Sequence, residues 1–343
     1  MNDIALAPHP RRLLPWLNAL AARAAEDTLA CLAQIAHPKL EWHGPHPIGA
    51  LHGTEAVARR FWQPLKHAFP DLQRRDDVLL GGASPLSTGE STRGSGDWVA
   101  ATGHLVGTWQ RDWLGLPSTG RLAALRFGEF HRLQDGRVVE SRVLLDLPDL
   151  MRQAGCNPLP RSPGAEITAP GPATHDGVRL QAGCAEASAA SLRLTQGAMF
   201  GAVGHLDALD FVGAVPGAPL APGLMRYGPC GLGATCGLQE SLRHHHRPFA
   251  RAFPDRVAGG SLVHVADGAY AAHLGWPAFH ATQRAAYLGV PAAGAAADVR
   301  LMEFLRCERG LLAESWLLLD VPHLLLQLGR DMMEEAREAA LAA

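Results

Sequence analysis

Apolar and polar positions along this chain follow two periods, and the same order of periods occurs twice. Leu13–Ile35 is mostly Ala and Leu with polar residues at helical spacing, which predicts one or two helices. In Thr54–Phe69 the residues Val57, Phe61, Leu65 and Ala68 fall on one helical stripe; Thr54 suits the N-cap and Pro70 ends the run. The period then shortens to two. Trp98–Trp109, Leu122–Leu133 and Arg137–Leu145 read as strands, and Asp135-Gly136 is the strongest hairpin signal in the chain. Leu147–Ala154 predicts a short closing helix or turn. The Gly-, Ser- and Thr-rich stretch Gly81–Gly96 reads as a loop. Helices followed by three or four long antiparallel strands predict an α+β unit, its helices on one face of a curved sheet. The order returns as helical Ala185–Phe211, a helix over Leu238–Phe253, and strands running to Val321.

The identities confirm a duplication. Ala68-Phe69-Pro70-Asp71 returns as Ala252-Phe253-Pro254-Asp255, an offset of 184 that also carries Gly44-Pro45 onto Gly228-Pro229. Beyond the Gly81–Gly96 loop the offset is 174, and from Leu114 to Gly155 there are 19 identities in 42 aligned positions. Loops absorb such a length change cheaply. Two units follow: residues 10–157 and 185–332, joined by a Pro/Gly/Ala-rich linker over 158–184, with a helical tail at 333–343.

Composition narrows the function. Hydrophobic residues are 47% and charged residues 19% of the 343, with a formal net charge of −2, so the chain buries real cores. Lysine is nearly absent and no basic block occurs, which argues against nucleic acid as a partner. No apolar run is long enough to span a bilayer, and the start lacks a secretory pattern. Six cysteines without a Cys-x-x-Cys pair read as reduced thiols of a cytoplasmic protein.

The first unit carries Trp42-His43-Gly44-Pro45, Phe61-Trp62-x-Pro64-Leu65, Thr102-Gly103-His104, Leu114 to Arg121 with its Thr119-Gly120-Arg121, Asp135-Gly136-Arg137-Val138-Val139-Glu140, and Asp146. This ordered set, over about Leu40 to Leu150, resembles the SnoaL-like polyketide cyclase family. The resemblance implies tandem nuclear transport factor 2-like (cystatin-like) cones, each a curved antiparallel sheet wrapped around its N-terminal helices, with a hydrophobic pocket. It also implies metal-free, cofactor-free acid–base chemistry by a His and an Asp on a small apolar carbonyl compound. On that pattern His104 matches the family's histidine.

The residues themselves leave roles open. His104 shares a strand face with Trp98, Ala100 and Thr102; a half-buried imidazole exchanges protons near neutral pH, or is structural. Asp146 and its counterpart Asp320 precede Asp-x-Pro turns: an apolar wall would make either a base, while a turn or helix cap explains both equally. Glu129 lies among large apolar residues, with Arg126 three before it on the opposite face, so one of them points inward; an ion pair with another strand is the alternative. His104, Asp146 and Glu129 are thus the catalytic candidates. Trp42, His46, Trp62, Thr102, Trp109 and Arg126 are the candidate substrate contacts. His43, His46 and His52 match no metal-ligand spacing, and His244-His245-His246 reads as a partly exposed helix.

The second unit replaces His104 by Ala278, Thr102 by Trp276 and Trp62 by His246. Its expected role is to pack against the first as an intramolecular pseudo-dimer, and a homodimer is also compatible. The rival to an enzyme is a non-catalytic ligand-binding or scaffold protein on the same fold.

Overall fold

The computed structural model describes residues 10–84, 96–204, 220–259 and 262–342. The expected helical stretch over residues 205–211 and most of the Gly81–Gly96 loop lie outside them. The N-terminal helical run divides into α1 (Pro10–Ala22) and α2 (Thr28–Ile35). β1 (Ala36–His43) and β2 (Ala50–His52) follow, then helix α3 (Thr54–Val57), a π-helical turn (Ala58–Trp62) and α4 (Gln63–Ala68). Gly53, not Thr54, takes the N-cap position, at φ 83°, where a side chain would be strained. The wide π turn puts the neighbours Phe61 and Trp62 both in the core, which a straight helix would not do.

β3 (Gln73–Ser84), β4 (Gly96–Thr108), β5 (Leu122–Gln134) and β6 (Arg137–Leu145) complete the first sheet, and α5 (Leu147–Ala154) closes the unit. The strand order is β2-β1-β6-β5-β4-β3. The long strands pair antiparallel as expected; β1, however, lies parallel to β6, so the sheet is mixed. Asp135 (φ 51°) and Gly136 (φ 74°) make the predicted tight turn between β5 and β6.

After α6 (Ala185–Gly204) the second sheet is built from β7 (Leu220–Tyr227), β8 (Ala234–Cys236), a two-residue β9 (Val257–Ala258), β10 (Leu262–Asp267), β11 (Tyr270–Thr282), β12 (Ala296–Glu308) and β13 (Leu311–Leu319). Read from β8, its order β8-β7-β13-β12-β11-β10 repeats the first sheet. The repeated Phe-Pro-Asp turn has a visible job. Asp71 accepts from the Thr108 amide at 2.7 Å, and Asp255 accepts from that of Thr282 at 2.7 Å, tying the turn to the end of β4 in the first half and of β11 in the second.

Each sheet is covered on both faces. One face packs on its own helices. The other faces the second sheet, where Trp98, Ala100, Phe130 and Leu144 meet Tyr270, Phe304, Trp316 and Leu318 in one buried cluster. The equivalent residues Phe130 and Phe304 touch at 5.7 Å between ring centroids. Residues 158–184 form a hydrogen-bonded strap: Gly177 and Arg179 bond Leu79, Ala165 bonds Ala234, and the Trp316 indole donates to the Pro170 carbonyl. No helix of the described residues is long and apolar enough to cross a membrane.

Candidate functional site

The interior of the first cone is lined by Leu17 and Leu20 of α1, Trp42 of β1, Phe61 and Trp62, and Leu105 and Phe127 of the sheet. Into this apolar wall project Arg74 from β3, Glu129 and His131 from β5, and Ser141 from β6. Two residues apart on one strand, Glu129 and His131 share a face. The Arg74 guanidinium lies 2.5 Å from Glu129 Oε1, and His131 Nε2 lies 3.2 Å from the same oxygen. His131 Nδ1 meets Ser141 Oγ at 2.9 Å. Arg74 is held from its other side by Asp76 at 2.6 Å and by the face of Phe127, 4.3 Å from the ring centroid. Burial pushes the Glu129 carboxyl up, but Arg74 and then His131 outweigh it and hold the group to about 2. The result is a permanently ionised carboxylate touching an imidazole whose second nitrogen faces a hydroxyl. The void among these residues is about 40 Å³, room for roughly two or three waters. A larger ligand must displace α1 or the indoles.

Of the expected residues, Glu129, Trp42 and Trp62 line this interior. The others do not. His104, Arg126 and Asp146 lie on the opposite face, in a polar crevice against the strap and the Gly228–Gly233 loop of the second half. His104 Nδ1 sits 3.2 Å from Asp77 Oδ2. Arg126 donates to the Tyr227 and Gly228 carbonyls, each at 3.2 Å. Thr102 donates to the Phe127 carbonyl at 2.7 Å. Trp109 is buried, stacked on Phe69 at 5.6 Å with its indole bonded to Arg111 O.

Asp146 caps α5 through the Asp149 amide at 3.2 Å and reaches across to the Cys230 amide at 3.0 Å. Asp320 does the same in reverse: it takes the His323 amide of its own helix and the His46 amide of the first half, at 3.2 Å to one oxygen and 3.3 Å to the other. His46 and Cys230 are themselves related by the repeat offset of 184. The strand-end aspartates are therefore caps that also latch the halves together, and His46 enters through its backbone. Burial first, then Asp149, pushes Asp146 up to about 6 against the pull of Arg126; burial does the same to Asp320 against Arg300. Sequence reasoning missed Arg74, His131 and Ser141. For His131 the signal was present in the Glu129-x-His131 spacing.

No group of three or more His, Cys, Asp or Glu among the described residues is placed to hold a metal ion.

Residues 16–154 match the family model described as SnoaL-like polyketide cyclase. No curated protein matches the chain. Among solved structures, a SnoaL-like protein from Jannaschia sp. CCS1 is 20% identical, with 44% of this chain and 95% of that one covered, at a TM-score of 0.32. IdmH from Streptomyces antibioticus is 24% identical, covering 43% and 98%, at 0.33. An NTF2-like protein from Burkholderia thailandensis E264 is 18% identical, covering 43% and 97%, at 0.30. Each covers less than half of this chain. Over residues 16–154 the chain is thus similar to the SnoaL-like polyketide cyclase family, and its fold is the nuclear transport factor 2-like α+β fold.

Proposed function

We propose that the first cone performs cofactor-free acid–base chemistry on a small, largely apolar carbonyl compound, with His131 as the proton-transferring group. The observation that carries this is the chain Glu129–His131–Ser141 inside an apolar wall. The ionised Glu129 favours the tautomer with the proton on Nε2, leaving the Nδ1 lone pair toward Ser141. A ketone that displaces the hydroxyl presents its α-carbon to that nitrogen. The carbon–hydrogen bond breaks, the proton moves to His131, and the electron pair passes to the carbonyl oxygen as an enolate. Glu129 stabilises the imidazolium so formed. The enolate then attacks a second carbonyl of the same molecule or is reprotonated, which gives cyclisation or isomerisation respectively. In this reading Asp146 is a latch between the halves and His104 is a structural partner of Asp77. Six free cysteines suit a reducing, cytoplasmic setting.

The small void favours one rival, a protein that binds without catalysis. Deuterium exchange at the α-carbon of 2-tetralone in D₂O, followed by proton NMR, separates the two. Wild type and H104N should both exchange above the buffer rate, and H131N should lose at least about tenfold, the low end for general-base catalysis being larger still. Saturable binding without exchange leaves the non-catalytic reading. Loss in H104N with retention in H131N overturns the site.

A further inference from the structure

The second cone is not a worn copy of the first. At the offset of 184, five apolar core residues of the first half are replaced by polar ones. Trp42 becomes Arg226 and Leu51 becomes Thr235. On the helical segment Val57 becomes Ser241, while the pair Phe61 and Trp62 becomes His245 and His246. All five originals are buried, and Val57, Phe61, Trp42 and Trp62 line the first cavity. Thr235, Ser241 and His245 are buried as well, while His244 and His246 are part-exposed, so the histidine helix is partly exposed as expected, with His245 on its inner side. Every replacement is smaller, and each brings a hydrogen-bonding group to the interior of the second half.

These groups meet the carboxylate that survives from the first half. Arg226 pairs with Glu303 at 2.8 Å, Ser315 donates to the same oxygen at 2.7 Å, and Arg226 approaches His246 Nε2 at 3.2 Å. On β11, directly opposite Glu303, lies His273, fully buried and joined to His264 through their Nδ1 atoms at 2.6 Å. Several of the inward atoms lack a hydrogen-bond partner among the described residues: Arg226 Nε, Thr235 Oγ1, Ser241 Oγ, His245 Nδ1 and His273 Nε2. A buried polar atom left without a partner is destabilising. Such a concentration is what an enclosed site looks like before its ligand arrives.

We infer that the second cone is a separate binding site for a small, neutral, hydroxylated aromatic ring compound. Neutrality follows from the pairing of Arg226 with Glu303. Hydroxyl groups are called for because the orphans mix donors, such as Arg226 Nε, with acceptors. His245 donates from Nε2 to the Gly233 carbonyl at 3.0 Å, which leaves its Nδ1 to accept. The aromatic ring is called for by Phe249, one helical turn beyond His245, which heads a wall with Phe279 at 6.3 Å and Tyr287 at 5.7 Å.

The test uses the full chain, with catechol as the polar probe and toluene as its apolar control. The substitutions Thr235→Leu and Ser241→Val restore the first half's residues. Calorimetric titration should show saturable catechol binding to wild type, weakened about tenfold or more in each variant, and none for toluene. Without ligand, each variant should melt roughly 2–4 °C higher, because an orphan has been removed. The proposal requires both results. No saturable binding of catechol, toluene binding as well as catechol, or a lower melting temperature in both variants overturns it.

Discussion

Replacing His245 by Phe, its counterpart at position 61, should change how stability responds to acid. Burial first and then Arg226 hold His245 down to about 3, and burial holds His264 to about 4. A folded value below the ordinary 6.5 means that the unfolded chain binds the proton first. Stability from the neutral folded imidazole is therefore full above pH 6.5 and drains away as the pH falls toward the folded value. Between pH 7 and pH 5 each such histidine costs about 2 kcal/mol. His246 and His273, held well below 6.5 by burial, add to the loss. The aspartates oppose it. Asp146 and Asp320, raised to about 6, are favoured in the folded state when protonated, so each adds about 1 kcal/mol over the same interval. The imidazoles win, and the wild type should unfold at lower urea concentration at pH 5 than at pH 7. In H245F that fall should shrink by about 2 kcal/mol, whatever the substitution does to stability at pH 7. An unchanged pH dependence would show that His245 is protonated in the folded chain, and the reasoning fails.

Two further expectations concern the joint between the sheets. F130A removes a fully buried ring that packs on Phe304, and urea unfolding should show a loss of about 3–5 kcal/mol. D146A removes a helix cap and the acceptor for the Cys230 amide together, costing about 1–3 kcal/mol at pH 5, where the carboxyl is mostly neutral, and less at pH 8, where its burial as an anion is itself unfavourable.

The duplicated fold was legible because the cues that carry it are local: the Phe-Pro-Asp turn, the Asp135-Gly136 hairpin and the two periods. The missing strands had no such cue. β1 contains Pro38 and is half exposed, and β3 opens on Gln73-Arg74-Arg75-Asp76-Asp77, which reads as solvated charge although the Arg74 side chain is buried. The faces of β4 were illegible for a different reason. Alternation identifies an inner face only when the other meets water, and here Ala100 and Ala101 are equally buried because a second sheet covers the back. Alternation alone therefore does not tell which side of the sheet His104 faces. Asp146 misled because persistence in both copies marks capping and latching as readily as catalysis. The polar lining of the second cone was visible in Trp62 becoming His246, yet its meaning required knowing that Arg226 approaches it and that Thr235 and Ser241 are buried.

The account rests on the inner face of the first cone being where a small molecule is held. The most direct measurement is a set of intermolecular nuclear Overhauser effects between bound 2-tetralone and the full chain labelled with ¹³C at histidine and tryptophan. The ring protons should show contacts to the His131 imidazole and to the indoles of Trp42 and Trp62. Contacts to His104 in their place, with none to His131, would contradict it.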